Sequence, residues 1–314
     1  MLKKYLKILL KYILLLCFLL IIYFLTLTIT SLIPSKLIKQ NVKESADYLI
    51  NKNESVRIDV KYKNVFIFEF TNALMLNTAY SIDNEKPIES FLVARKNYIP
   101  GVTKIIHENT PKNLKSAEKY YTKSSKTTDA YQIPELYDTV YENDLYEAFE
   151  YARYWHGYLI FLRPLLLLFN YKQIEVLSTI IFMFLLLVAS ALIYKKIDPL
   201  LAIALFISYI AVDTLVISVS MNEITCFILS LIFAIYILIR FDKIRNIGFL
   251  FFVIGSITNF VDFLTNPIIV YGIPIIVYLL LLQTKQRIRV KETILIYLKT
   301  SLAWGIGYAL TWRK

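Results

Sequence analysis

The 314-residue chain carries only two cysteines, two histidines and seven glycines. Cys17 and Cys226 both fall inside apolar runs, and the long polar segment between residues 35 and 156 has none. A disulfide framework and a thiolate metal site are thereby excluded. Two histidines are too few for a histidine-based metal centre, and His107-Glu108 reads as a surface pair. The patterns GxxxxGK[ST], HExxH and CxxC do not occur, nor does GxGxxG after a strand, which removes the usual nucleotide, zinc-protease and dithiol chemistries.

Acidic charge is scarce outside the polar segment. Residues 35–156 hold 17 Lys/Arg and 17 Asp/Glu, whereas the rest of the chain holds 18 Lys/Arg against 7 Asp/Glu and carries the whole net charge of +11. Those cations lie at the ends of apolar runs, where topology determinants lie, and not on one polar face as a nucleic-acid surface requires. Nucleic acid is excluded as a partner. What is abundant is apolar: 57% of the residues are hydrophobic and the mean hydropathy is +0.54. That composition predicts a polytopic α-helical membrane protein whose first partner is the lipid bilayer.

A basic N-terminus, MLKKYLKILLKY, precedes an apolar run from Tyr12 to about Ile33. It is longer than a signal-peptide core and predicts an uncleaved span, with a cleaved signal as the alternative. Further runs are Ile174–Tyr194, Pro199–Val219, Met221–Arg240, Asn246–Leu264, Pro267–Gln283 and Glu292–Trp312, giving about seven transmembrane helices. Gly157–Phe169 is too short to cross and contains Arg163 and Pro164. If it stays on one side, the basic connections Lys195-Lys196, RFDKIR (240–245) and KQRIRVK (285–291) all face inward, while the connections near 218–221 and 265–266 lack Lys and Arg. The expected layout is therefore a transmembrane helix at 1–34 and a large mixed α/β exported loop with juxtamembrane helices at 35–156. An interfacial or re-entrant helix at 157–173 and a six-helix bundle at 174–314 complete it. The N-terminus is placed in the cytoplasm, the loop outside, and the protein in a bacterial cell membrane, multi-pass. The final span ends on Arg313-Lys314, which would face outward, so a chain truncated at its C-terminus is expected.

Within the loop, apolar spacing predicts a helix over Lys36–Asn51 with Leu37, Ile38, Val42, Ala46 and Leu49 near one face. Alternation predicts a strand at Arg57–Tyr62 continuing through VFIFEF at 65–70. Helices are expected at 71–83, at Ile88–Tyr98 and at Asn143–Trp155, and a mobile loop at Lys112–Tyr131.

This layout selects candidate site residues. YARYWHGYLIFLRP (151–164) places Arg153, His156 and Arg163 at the membrane edge, and NFVDFLTNP (259–267) places Asp262 and Asn266 there. Asp213 and Glu223 occupy neighbouring outward span ends. Guanidinium groups match phosphate oxygens bidentately, and ionisable groups at membrane depth face a cavity or a partner. The plainer readings are lipid snorkelling for the arginines, helix capping or ion pairing for the aspartates and a helix-dipole contact for Glu223.

With those two stretches at the outer face, the layout resembles the GT-C superfamily of polytopic glycosyltransferases. The resemblance is one of architecture and spans the chain as that family's N-terminal module. It implies transfer of a sugar from a polyprenyl-phosphate donor to an envelope glycan acceptor on the outer face. Many members carry an acidic residue soon after the first span, but this chain reads SLIPSKLIKQNVKESADYL, with Glu44 and Asp47 first. The catalytic carboxylate is accordingly sought in Glu69 and Asp83, which flank TNALMLNTAYS. A divalent cation is compatible with such a site, although no ligand set is visible. The alternative is a non-catalytic membrane protein whose exported domain binds envelope polymers or partner proteins, and a transporter comes third.

Overall fold

The computed structural model describes residues 2–51, 55–60, 63–98, 132–141, 147–150, 155–262 and 265–312. In chain order the elements are α1 (Leu2–Ser31), α2 (Ser35–Asn51), β1 (Ser55–Val60), β2 (Lys63–Phe68), α3 (Glu69–Tyr80), α4 (Pro87–Val93), β3 (Arg95–Tyr98), α5 (Gln132–Tyr141) and β4 (Glu147–Glu150). There follow α6 (Leu159–Leu166), α7 (Tyr171–Lys196), α8 (Pro199–Ala211), α9 (Thr214–Ile217), α10 (Met221–Arg240), α11 (Ile247–Val261), α12 (Pro267–Lys285) and α13 (Val290–Thr311). The chain forms two compact units: Met1–Thr26 with Arg153–Tyr158 and Leu177–Lys314, and Leu27–Ala152 with Leu159–Val176.

Five helical stretches among the described residues are long and apolar enough to cross a membrane: Leu6–Ser31, Tyr171–Lys196, Met221–Lys243, Pro267–Lys285 and Val290–Thr311. The chain is an α-helical membrane protein. Two other runs expected to span form shorter helices, α8 with 13 residues and α11 with 15. At ~1.5 Å per residue they reach only roughly 20 and 22 Å, short of a ~30 Å hydrocarbon core. The run Pro199–Val219 does not continue as one helix because Asp213 adopts a left-handed conformation (φ 57°), which short polar side chains tolerate best after glycine. Asp198 begins α8 by accepting from the Leu200 and Leu201 amides at 2.7 and 3.2 Å, ahead of Pro199.

In the first unit α11 lies against α13, and α10 against α12. The α11–α13 contact is made by glycines. A Cβ on Gly255 would stand 2.1 Å from the Trp304 carbonyl oxygen, and one on Gly307 would stand 2.2 Å from that of Phe252. Without a strong hydrophobic drive between helices in lipid, such close backbone approach is what small residues make possible. Tyr23 joins the same end of the bundle. Its hydroxyl lies 2.9 Å from Ser256 Oγ, its ring stacks on Phe260 at 3.9 Å, and Ser256 is in turn 2.7 Å from Thr311 Oγ1.

In the second unit α2, α3 and α5 pack on one another. Ile38, Val42, Ala46 and Leu49 of α2 are buried, whereas Leu37, one position off that stripe, is 59% exposed. Every residue of α3 from Thr71 to Ala79 is buried. The strands form two separate two-stranded antiparallel ribbons, β1–β2 and β3–β4. They correct three local expectations. The alternating stretch 57–70 does not run on as one strand, since Val60 pairs with Lys63 and the chain doubles back. Ile88–Tyr98 is helical only to Val93 and then extended, because Arg95–Tyr98 pairs with Glu147–Glu150. That same pairing makes 147–150 a strand where local periodicity predicts helix, a case of cross-strand contacts overriding propensity. The loop expected at Lys112–Tyr131 lies outside the described residues.

The glycine contact separates close packing from simple helix propensity. Gly255→Ala and Gly307→Ala are each expected to cost about 1–3 kcal/mol through overpacking against backbone. Gly272→Ala and Gly305→Ala, where no atom stands within 4 Å of an added Cβ, are expected to leave stability unchanged or higher. Thermal unfolding in detergent, followed by tryptophan fluorescence, distinguishes the two pairs.

Candidate functional site

Four of the residues selected from the sequence fall in the first unit, around the ends of α10, α11 and α12. The alternation of these helices puts the start of α10, the end of α11 and the start of α12 together. Glu223 lies in the first turn of α10, Asp262 follows the last residue of α11, and Asn266 precedes Pro267 at the start of α12. Asn266 Nδ2 donates to Glu223 Oε2 at 2.7 Å. Asp262 Oδ1 accepts from the Thr265 amide at 3.3 Å, the Thr265 hydroxyl at 3.0 Å and the Cys226 thiol at 3.2 Å. The Thr265 hydroxyl also lies 3.1 Å from the Asn222 carbonyl, and Ser220 Oγ donates to Asn222 Oδ1 at 2.5 Å. Asp262 is 4% exposed, Glu223 half-buried and Asn266 exposed. Glu223 sits in the first turn of α10, while Asp262 at the C-terminal end of α11 is held by the Thr265 amide, the Thr265 hydroxyl and the Cys226 thiol.

His156 belongs to the same end. Its backbone is left-handed (φ 54°), its side chain is buried, and Nδ1 lies 3.2 Å from the Tyr158 hydroxyl. The next residue, Gly157, donates its amide to the Phe260 carbonyl at 3.1 Å, within one turn of Asp262. A Cβ on Gly157 would stand 2.2 Å from that oxygen, so only glycine permits the approach. Trp155 contacts the rings of Tyr23 and Phe260 edge-on and donates its indole N–H to the Thr311 carbonyl. The aromatic and polar residues of 155–158 therefore dock a crossing segment onto the end of α11. Asp213 serves the break between α8 and α9, and Arg153 lies outside the described residues.

The second unit holds Glu69, Asp83 and Arg163. Arg163 is fully buried, and its guanidinium donates to three main-chain carbonyls: Thr30 at 3.1 Å, Ile33 and Ala79. These oxygens lie at the C-terminal ends of α1 and α3, where carbonyls lack helical partners and the dipole is negative. Burial pushes the guanidinium down to about 10, so it remains charged at neutral pH. Arg163, selected from the sequence as a phosphate-binding candidate, here ties two helix ends to α6.

Glu69 is likewise fully buried, with Asn72 Nδ2 donating to Oε2 at 2.9 Å and the Tyr171 hydroxyl 3.4 Å away. A second carboxylate, Glu175, belongs to the same unit and accepts from Tyr48 at 2.8 Å. Glu175 is not among the residues selected from the sequence, although a glutamate just inside an apolar run is itself a signal. Asp83 is exposed, and its Oδ1 accepts from the Glu85 amide at 2.9 Å. Its backbone is tied to Ser90 Oγ, which holds the turn before α4. Glu44 reaches Asn170 at 2.9 Å and Gln40 at 2.9 Å, and these hydrogen bonds hold its carboxyl below the usual range. Among the described residues no group of three or more His, Cys, Asp and Glu side chains could hold a metal ion.

Arg163→Ala is expected to destabilise the protein by about 1–3 kcal/mol for each carbonyl left buried without a donor. Arg163→Lys should recover part of the loss through its remaining donors. Unfolding in detergent measures both, and unchanged stability of the alanine variant would contradict the capping role. No family model matches the chain, and neither does any curated protein or solved structure.

Proposed function

We propose that the chain is a multi-pass membrane glycosyltransferase of the GT-C type, transferring a sugar from a polyprenyl-phosphate donor to an envelope acceptor on the outer face. The observation that carries this reading is the order of the elements. A long apolar helix is followed, directly after Pro34, by the amphipathic helix α2 and, among the described residues, by α3, α4, α5 and two strand ribbons. That segment closes with the short helix α6 before the next apolar helix, and α6 packs on α2. The single-span, large-loop, many-span arrangement with juxtamembrane helices is the feature the family shares. The basic connections at 195–196, 240–245 and 285–291 favour a cytoplasmic N-terminus, an exported loop and a bundle in which the shorter α8 and α11 also cross where the bilayer thins to meet them, bringing the count to seven.

In this reading Glu69, in the second unit, is the base. Glu69 can accept an acceptor hydroxyl proton only once the substrate displaces its covering groups, Asn72 or Tyr171. The complete burial of Glu69 favours the second reading, a non-catalytic membrane protein whose exported segment binds envelope polymers or proteins.

Purified protein in lipid, incubated with labelled polyprenyl-phosphate sugars and acceptor, separates the two. The transferase reading expects acceptor-dependent release of label, lowered at least ~100-fold in Glu69→Gln. Folded protein that releases nothing from any donor leaves the second reading. Orientation is checked separately: in intact cells an impermeant thiol reagent is expected to label Lys119→Cys and spare Arg287→Cys. The reverse pattern would overturn the topology.

A further inference from the structure

The first unit contains a cavity of about 670 Å³ between α1, α10 and α11. Its polar and apolar residues are segregated along the helices. Leu14, Ile232, Phe233 and Val253 lie within the helices, whereas Lys243 and Arg245 lie in the connection between α10 and α11. Lys11 stands one turn before Leu14 on α1. Three cations thus share the lining and no acidic residue does. The nearest acid in sequence, Asp242, accepts a hydrogen bond from Lys285. A volume of this size is ordinary for a small-molecule site, but an apolar chamber with cations at one end suits only an anion that carries a hydrocarbon tail.

We propose that this cavity binds one anionic phospholipid. Its acyl chain lies along Leu14, Phe233 and Val253, and its phosphate headgroup is held by Lys11, Lys243 and Arg245. Basic pockets between membrane helices recognise lipid headgroups in this way, with each cation adding attraction for the phosphate while the apolar wall excludes free anions from the tail site. A neutral zwitterionic lipid gains the same apolar contact but not the net charge. The site requires only that these helices sit in lipid, and it depends neither on sugar transfer nor on which side of the membrane the connection faces.

The test uses the full-length protein, stripped in detergent and then offered equal amounts of phosphatidylglycerol and phosphatidylcholine. Lipid retained after washing is quantified by mass spectrometry. Wild type is expected to retain phosphatidylglycerol about tenfold over phosphatidylcholine, given three cations at the head site. The variant K11Q/K243Q/R245Q is expected to lose that preference, while K195Q/R287Q/K291Q, with the same charge removed outside the cavity, keeps it. Val253→Trp, which fills the apolar end, should lower retention of both lipids, and it decides the outcome if the triple variant does not fold. Glycerol phosphate, the headgroup without a tail, should fail to displace the bound lipid. Equal retention of the two lipids by wild type would overturn the proposal. So would a preference that survives both cavity variants, or full displacement by glycerol phosphate.

Discussion

Arg163 is the constraint on which the second unit depends. A helix that ends inside a protein leaves carbonyls facing low dielectric, and each must find a donor or lose several kcal/mol of its hydration (roughly 2–7). One guanidinium supplies donors to Thr30 and Ile33 at the end of α1 and to Ala79 at the end of α3. The same negative helix ends that need donors also stabilise the buried cation, so the cost of desolvating the charge and the cost of ending the helices offset each other. Pro34 stops α1 from continuing. The chain can therefore pass from α1 to α2 with the Thr30 and Ile33 carbonyls paired.

The bundle relies on a different solution. Within lipid the packing of helices must come from close approach and from satisfied polar side chains. Gly255 and Gly307 supply the first, on α11 and α13. Tyr23, Ser256 and Thr311 supply the second, as a buried hydroxyl chain beside the glycine contact. Asp262 and Glu223 extend this at the helix ends, where the side chains of Thr265, Cys226 and Asn266 donate to the two carboxylates. Acidic residues at such depth are a feature of functional membrane sites, and here each carboxylate has hydrogen-bond donors within the bundle.

The meeting of Glu223, Asp262 and Asn266 was legible in the sequence because span direction alone puts the start of α10, the end of α11 and the start of α12 at one face. Direction needs only the apolar runs and the basic connections. The helical stripe of α2 was legible for the same kind of reason, with Leu37 misplaced by a single position of a 100° rotation. The role of Arg163 was not legible. An arginine beside a proline at a membrane edge looks the same whether it faces phosphate or the ends of two helices, and those helices end more than eighty residues earlier in the chain. Glu175 was hidden because its partners, starting with Tyr48, come from a distant helix.

By itself the sequence determined the membrane character and the helices of α2 and α3. These follow from the periodicity of apolar residues and the distribution of charge, which are local or additive properties. Only the tertiary structure decided that 147–150 is a strand, that the run after Pro199 breaks at Asp213, and that Arg163 and Glu69 are buried. Each of those depends on which distant backbone or side chain supplies the missing hydrogen bond, and a donor's identity does not reveal where its acceptor lies.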